Sequence, residues 1–131
     1  ITNEQKAKDY IENFYRPHYT QHGYGAYLVE LKDRKIPIGM CRLISRDWND
    51  APDLGFALIP EFMGLGYAFE ISKAMLDYAK SELKFKFIYS FTEPENISSI
   101  KLIEKLGMKF IKVFGLTNDR DDLLLYKSDL T

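Results

Sequence analysis

The stretch Leu58–Glu70, LIPEFMGLGYAFE, constrains the fold more than any other part of the chain. An apolar run ends at Pro60, two glycines follow at Gly64 and Gly66, and a helical pattern opens directly at Tyr67. This order predicts a strand, a glycine turn and a helix N-terminus in direct succession. The first N–H groups of a helix lack intrahelical partners, and the helix dipole adds about half a positive charge there. Because glycine lets a ligand approach the backbone closely, the junction suits a phosphate or pyrophosphate group.

The same junction is compatible with an ordinary strand-to-helix turn that uses glycine for its geometry alone. The dinucleotide-binding fingerprint requires a third glycine where Phe69 stands, and the P-loop requires Gly-Lys-Ser/Thr after a longer gap. Neither motif is present. The residues by themselves therefore leave both the phosphate site and the plain turn open.

Two motifs resemble a known enzyme superfamily. The segment Met63–Ala68, MGLGYA, resembles the [QR]-x-x-G-x-[GA] acetyl-CoA signature of the GNAT superfamily of N-acetyltransferases, with Met63 where Gln or Arg is usual. Asn96–Ser99, followed by Glu104–Met108, is similar to the N-x-x-S…E-K-L-G-F run of one branch, which contains the ribosomal-protein N-terminal acetyltransferases. The resemblance extends from about Tyr24 to the end of the chain.

This resemblance implies an acetyl-CoA-dependent N-acetyltransferase acting on a primary amine, either a protein N-terminus or a small amine. In the family, the pyrophosphate binds the backbone of the glycine turn, the pantetheine arm contacts the residue matching Asn96, and a strand N–H near Leu58 serves the oxyanion. The residues expected to bind acetyl-CoA on this basis are Leu58, Ile59, Met63, Gly64, Leu65, Gly66, Tyr67, Ala68, Asn96 and Ser99.

Two residues are expected to be catalytic, Ser99 and Asp53. Ser99 falls on the apolar stripe of its helix, and the resemblance implies that it faces the CoA sulfur; a bond to its own backbone, or close packing, is the alternative. Asp53 aligns with a carboxylate often found just before the strand Leu54–Ile59 and could take the amine proton through water. The alternative for Asp53 is an exposed loop carboxylate, and Glu30 and Glu61 are weaker candidates for the base.

Composition bounds the class of protein. The chain has 131 residues, 46% apolar and 28% charged, as expected for a single ordinary domain over residues 1–131. Its 18 basic and 19 acidic residues give a net charge of −1, which does not favour a nucleic-acid surface. The apolar runs are too short to cross a membrane. One cysteine, Cys41, and two histidines leave little scope for a disulfide or a metal site, so we expect no metal and a reducing, cytoplasmic setting.

Hydrophobic periodicity predicts a mixed α/β sheet flanked by helices, the GNAT-like fold that the resemblance also implies. A first helix over residues 3–16 should begin at Asn3 and end at Pro17, ahead of a loop at His18–Gly23. Further helices should begin at Tyr67 and at Asn96. The predicted strands are Tyr24–Leu31, Ile36–Ile44, Leu54–Ile59, Phe85–Thr92, Met108–Phe114 and Asp122–Ser128. The family's first edge strand, ahead of the first helix, is expected to be lacking.

Two other functions are compatible with the sequence. The departure at Met63 and the expected lack of the first strand permit a module that binds acyl-CoA without transferring the acyl group. The uncovered sheet edge would also permit an interaction domain without a ligand pocket, which could form a homodimer through that edge. No motif encodes the acceptor amine, whose choice is expected to depend on the loops His18–Gly23 and Ser45–Asp53.

Overall fold

The computed structural model describes residues 4–47, 49–115 and 122–130, and six strands in these ranges form one mixed sheet. The strands are β1 (Ala26–Glu30), β2 (Pro37–Ile44), β3 (Asp53–Leu58), β4 (Phe87–Thr92), β5 (Lys109–Phe114) and β6 (Leu123–Asp129). Their spatial order is β1-β2-β3-β4-β6-β5. Neighbouring strands are antiparallel except β3 and β4, which run parallel. The mixed sheet confirms the predicted fold class.

The helical segments are α1 (Glu4–Tyr10), a π-helical turn (Ile11–Tyr15), α2 (Arg16–His22), a 3-10 turn (Pro60–Phe62), α3 (Tyr67–Ser81) and α4 (Ile97–Lys105). The predicted start of α3 at Tyr67 is confirmed, and α4 begins one residue after its cap. Asn3, the predicted cap of the first helix, lies outside the described residues. None of the described helices is long and apolar enough to cross a membrane.

The prediction that the first helix ends at Pro17 is wrong. Pro17 lies in the first turn of α2, where a missing N–H costs little, and the five residues before α2, Ile11–Tyr15, form the wider π-helical turn. The chain therefore stays helical through the predicted loop at His18–Gly23. Helix α2 ends at His22, and Gly23 caps it in the left-handed conformation with φ 78°.

Strands β1 and β2 form an antiparallel hairpin, and β2 lies unusually close to β3 at one glycine. Gly39 pairs with Leu58, and a Cβ at position 39 would lie 2.2 Å from the carbonyl oxygen of Ala57. Glycine at this position lets β2 and β3 approach each other this closely. The irregular register falls instead in β1, between Val29 and Glu30.

Two hydrophobic clusters bury one face of the sheet, here called the α3 face. The larger cluster packs α3 against the sheet and the smaller one surrounds Ile103 of α4, while Leu106 contacts both. Because side chains alternate along a strand, the neighbours of these core residues point to the other side. That side, here called the α2 face, carries the π-helical turn and α2, through bonds from Arg42 to Tyr15 and from Ser45 to His18.

Candidate functional site

The parallel strands β3 and β4 separate soon after they begin. Among the described residues their ladder is limited to Asp53 opposite Tyr89. Tyr89 N–H donates to the Pro52 carbonyl and the Ser90 hydroxyl donates to the Leu54 carbonyl, each at 3.0 Å. Beyond that point β3 stays paired with β2, and β4 stays paired with β6. Each strand follows its outer neighbour, so a cleft lies between them towards their carboxyl ends.

Backbone N–H groups of β3 point into this cleft. Ile59 donates its N–H to the Ile38 carbonyl on the β2 side at 2.7 Å. Since successive N–H groups of a strand face opposite edges, those of Leu58 and Phe56 face β4. The N–H expected to serve an oxyanion, that of Leu58, thus faces the cleft, and Phe56 offers a second donor that the sequence analysis missed. Ile59 can contribute only its side chain, which is 41% exposed.

The glycine turn follows β3 and its 3-10 turn and leads directly into α3. Gly64 and Gly66 have left-handed backbones, with φ of 75° and 88°, and no atom lies within 4 Å of a Cβ built on either. Met63 N–H is bonded within the preceding turn, and Glu70 N–H bonds to the Gly66 carbonyl at 3.1 Å. Between these two residues, the N–H groups from Gly64 to Phe69 have no backbone acceptor in the described chain. Unpaired N–H groups at the start of a helix are what an anion-binding turn requires.

Exposed apolar side chains border the turn. Met63 is 58% exposed and Leu65 is 63% exposed, and Ile97, at the start of α4, is 56% exposed. Grouped exposure of large apolar residues is typical of an interaction site. Tyr67 and Ala68 are half-buried at the helix start, so they can offer backbone groups more readily than side chains.

Asn96 caps α4 and positions Ser99 at the same edge of the sheet. The Asn96 side-chain oxygen accepts the Ser99 N–H and the Ser98 hydroxyl, both at 3.2 Å, so Asn96, where this helix was predicted to begin, is its N-terminal cap. The Asn96 amide NH₂ group is not used in this cap. Ser99 is half-buried, and its hydroxyl bonds to no other described residue. Because α4 follows β4 much as α3 follows β3, Asn96, Ser99 and the glycine turn all stand beyond the carboxyl ends of the parallel pair.

Lys105 brings a positive charge to the start of α3. Its Nζ lies 4.4 Å from the centre of the Phe69 ring, which belongs to the first turn of α3. This contact joins the end of α4 to the helix N-terminus where an anion would bind. Lys105 lies inside the second motif, Glu104–Met108, where no role was predicted for it. A positive charge inside a motif assigned to a phosphate-bearing ligand was the available signal.

Asp53 is the buried first residue of β3 and not an exposed loop carboxylate. It is 5% exposed, and its carboxylate accepts bonds from Arg46 Nε at 2.6 Å and from Arg46 Nη2 at 3.2 Å. Taking up a proton would disrupt this two-bond ion pair, so the geometry does not favour Asp53 as the base. The weaker candidates, Glu30 and Glu61, are exposed in β1 and in the 3-10 turn.

His18 fixes α2 to the end of β2. It is 8% exposed, and its Nε2 accepts the Ser45 N–H at 2.8 Å. Nδ1, 3.1 Å from the Tyr24 carbonyl, must therefore carry the proton and donate it to that oxygen. Burial, followed by the neighbouring His22, lowers the pKa of His18. His18 is thus a neutral structural link.

A groove of about 390 Å³ runs beside this link. Its lining comes from both loops to which the sequence analysis assigned acceptor choice, with His22 and Gln21 on one side and Ser45 and Asp47 on the other. The groove lies where β2 ends and β3 begins, whereas the glycine turn follows the opposite end of β3. It is a candidate entrance for the acceptor.

Cys41 is buried in the core, and burial raises the pKa of its thiol to about 11. A buried thiol with a raised pKa is a poor nucleophile. The described parts of the chain contain no group of three or more His, Cys, Asp or Glu side chains that could hold a metal ion.

The family of acetyltransferase (GNAT) domains matches residues 1–109, which include the glycine turn and the Asn96–Ser99 motif. The chain is 29% identical over 100 residues to the uncharacterized protein YkkB of Bacillus subtilis (strain 168), covering 73% of this chain and 58% of that protein. It is 33% identical over 81 residues to the uncharacterized N-acetyltransferase YnaD of the same organism, covering 62% of this chain and 48% of that protein. The chain thus spans about half the length of these curated relatives.

A crystal structure of an acetyltransferase from Agrobacterium tumefaciens str. C58 has the same fold. The TM-score is 0.82 at 21% identity, over 96% of this chain and 72% of that chain. At this identity the likeness concerns the fold alone, while the family match covers more than half of the chain and both halves of the site. The chain therefore belongs to the acetyltransferase (GNAT) domain family.

Proposed function

We propose that the protein transfers an acetyl group from acetyl-CoA to a primary amine. The observation that carries this proposal is the run of N–H groups from Gly64 to Phe69, which have no backbone acceptor in the described chain and stand where α3 begins, beyond the end of β3. Such a run suits the pyrophosphate of CoA, because both the N–H groups and the helix dipole favour negative charge there.

The residues around the turn fit the rest of the donor. The pantetheine arm would lie in the cleft, within reach of the Asn96 amide. Lys105 would add a positive charge beside the phosphates. Met63, Leu65 and Ile59 offer exposed apolar side chains to the remaining parts of the molecule. Acetyl-CoA supplies the activated acetyl group as a thioester.

The transfer itself needs an unprotonated amine and a stabilised oxyanion. The amine nitrogen attacks the thioester carbonyl carbon, a C–N bond forms, the C–S bond breaks with its electron pair on sulfur, and the amine proton passes to water. The N–H groups of Leu58 and Phe56 face the carbonyl oxygen's expected position, and each positioned donor is worth about 3–4 kcal/mol. The Ser99 hydroxyl is assigned to the departing sulfur. Asp53 is assigned to holding Arg46, because its carboxylate is already engaged.

The proposal also covers the branch of the family, the cellular compartment and the oligomeric state. The Asn96–Ser99 and Glu104–Met108 motifs support the branch that contains the ribosomal-protein N-terminal acetyltransferases. The lone, buried Cys41 is compatible with a reducing cytoplasm. A homodimer through the β1 edge is a further prediction, in which Leu28, 67% exposed, would be covered. Light scattering of the protein and of Leu28→Lys would test that contact.

A second candidate is a module that binds acyl-CoA without transferring the acyl group. The pairing of Asp53 with Arg46 favours it, because the carboxylate predicted as the base is occupied. Such a module would bind acetyl-CoA and release no CoA in the presence of any amine.

Thermal melting with and without millimolar acetyl-CoA tests the proposal, with ATP and NAD as controls. A ligand at a hundred times its Kd stabilises a fold by about 2.7 kcal/mol, a shift that melting of a domain of this size resolves readily. We expect a shift with acetyl-CoA and not with the controls, followed by thiol release when an amine panel is added. A melting temperature unchanged by acetyl-CoA would refute the site.

A further inference from the structure

Three apolar side chains form one row across the α2 face of the sheet, here called the apolar row: Leu28 of β1, Met40 of β2 and Ala57 of β3. Leu28 pairs with Met40, and Met40 pairs with Ala57. Tyr27 and Cys41, the adjacent pair of the same ladder, pack in the core on the α3 face. Because side chains alternate along a strand and paired residues point to the same side, the apolar row points to the α2 face.

The apolar row is open to solvent. Leu28 is 67% exposed, Ala57 is exposed, and Met40 between them is half-buried. Ile59, the next residue of β3 with the same orientation, is 41% exposed. Neighbouring strands are about 4.8 Å apart, so the row spans about 10 Å from β3 to β1. Contiguous exposed apolar side chains of this kind are typical of a surface that binds an apolar group.

The inner end of the apolar row is the edge of the transfer cleft. Ala57 lies between Phe56 and Leu58, whose N–H groups face the β4 side. Helices α3 and α4 cover the α3 face, so the acceptor reaches a thioester in the cleft from the α2 face. An amine placed at the thioester carbonyl therefore has the apolar row beside it, and its substituent can lie along the row.

The charges around the row disfavour a second cation on the acceptor. In the adjacent pair, Arg42 lies opposite Gly55, and a Cβ at position 55 would be 2.8 Å from Arg42 Nε, so the guanidinium lies against β3. Strands β1, β2 and β3 contain two carboxylates. Asp53 is bonded to Arg46. Glu30 is exposed beyond the irregular register of β1, where an ion pair contributes little.

We propose that the apolar row binds the substituent of the acceptor, and that the acceptor is a primary amine with an apolar substituent and no second cationic group. This inference rests on the proposed acetyl transfer and narrows its substrate class. Contact of the substituent with Leu28 and Met40 removes apolar surface from water on both sides, which favours binding. A second ammonium group would instead lose hydration beside the Arg42 guanidinium.

The test compares propylamine, pentylamine, heptylamine and hexamethylenediamine as acceptors. Hexamethylenediamine has the length of heptylamine but carries an ammonium group in place of the terminal methyl. We expect kcat/KM to rise at least tenfold from propylamine to heptylamine, because each added methylene contacts the row. We expect it to fall at least tenfold from heptylamine to hexamethylenediamine.

Two variants and one control connect this dependence with the row. Met40→Glu should abolish the rise with chain length, and the more exposed Leu28→Glu should reduce it for heptylamine alone, since Leu28 is the outer end of the row. Both should keep the shift in melting temperature caused by acetyl-CoA. Val113→Glu places the same charge at an apolar residue that is 53% exposed on β5, at the other edge of the sheet, and should keep the dependence.

The NMR signal of the Met40 methyl group, identified by its loss in Met40→Leu, gives a readout that is independent of turnover. We expect it to move on titration with heptylamine and not with hexamethylenediamine. If acetyl-CoA causes no shift in melting temperature, the proposed function fails, while this titration still decides whether the row binds an apolar amine.

Three outcomes would overturn the inference. The first is a rate that does not depend on chain length, together with an unmoved Met40 signal. The second is a preference for hexamethylenediamine that Glu30→Gln abolishes, which would assign the acceptor a second charge. The third is a dimer in light scattering that Met40→Glu dissociates without changing the dependence on chain length, which would assign the row to a second copy of the chain.

Discussion

Gly64 and Gly23 have nearly the same left-handed backbone conformation, with φ of 75° and 78°, at opposite ends of the strands. No atom lies within 4 Å of a Cβ built on either residue. A side chain therefore imposes similar strain at both positions. Only at Gly64 would it stand before the N–H groups that we assign to the pyrophosphate.

Gly64→Trp and Gly23→Trp should separate binding from strain. Both should lower the free energy of unfolding by about 1–2 kcal/mol, the cost of a non-glycine residue in this conformation. Gly64→Trp should also weaken acetyl-CoA at least tenfold, because the indole fills the open turn, whereas Gly23→Trp should leave the Kd within twofold. Isothermal titration calorimetry measures the Kd, and urea unfolding measures stability. Equal affinity of the two variants would place the donor elsewhere.

Ser99→Ala should slow the reaction without affecting donor binding. Loss of a hydroxyl that assists the departing sulfur should lower kcat about tenfold, or about 1.4 kcal/mol of transition-state stabilisation. Ser98→Ala is the matched control, since the Ser98 hydroxyl, among the described residues, donates to the Asn96 oxygen of the cap. We expect its kcat to stay near that of the wild type. Steady-state thiol release with saturating acetyl-CoA gives both values, and an unchanged kcat in Ser99→Ala would leave Ser99 a packing role.

Asp53→Asn should reduce stability more than catalysis. The amide keeps the shape but removes the negative charge that pairs with the Arg46 guanidinium, whose side chain is 31% exposed. We expect a loss of about 1–3 kcal/mol in the free energy of unfolding. Asp47→Asn, an exposed carboxylate in the same loop, should cost little.

The pH–rate profile distinguishes this role of Asp53 from that of a base. If Asp53 holds Arg46, the folded variant should keep a rate within a few-fold of the wild type at every pH. A positioned general base contributes about 10²–10⁴-fold, so a drop of that size in a still-folded variant would restore Asp53 as the base.

Lowering the pH should weaken the fold through His18. Burial and the nearby His22 lower its pKa in the folded protein, so the unfolded chain binds the proton more readily. The contribution of neutral His18 to stability is therefore complete above its ordinary pKa of about 6.5 and is lost as the pH falls towards its folded value. Protonation also removes the lone pair that accepts the Ser45 N–H.

Urea unfolding at pH 7.5 and 5.5 tests this link. The wild type should lose more stability between these values than His18→Gln, which carries no imidazole. Carboxylates titrate alike in both proteins, so the difference between them reports His18. Identical pH dependence of the two proteins would contradict the prediction.

Local signals predicted much of this molecule. The start of α3 followed from Gly64 and Gly66, because two glycines ahead of a helical pattern suit positive φ values and a helix N-terminus. The cap of α4 followed from Asn96, whose side chain reaches its own helix. The strand positions followed from apolar runs between turns. In each case the decisive interaction lies within a few residues of the chain.

The features that were missed depend on residues distant in sequence, or on a local change of helix geometry that accommodates a residue expected to end the helix. Pro17 indicated a helix end, but the wider π-helical turn before it accommodates the ring. The pairing of Asp53 with Arg46 depends on how an intervening loop folds back. The contact of Arg42 with Gly55 depends on the register of β2 against β3, which neither residue reveals alone.

The early end of the β3–β4 ladder has a consequence for amide hydrogen exchange. Ala57 lies between Phe56 and Leu58, and its N–H faces the paired β2 side. In the free protein, neighbouring amides of one strand should thus exchange at alternating rates, with Ala57 slow and its two neighbours fast. Beyond Asp53, β3 is held in shape by β2. The N–H groups on its inner edge are therefore available to a ligand, and no strand pair has to separate for the ligand to bind.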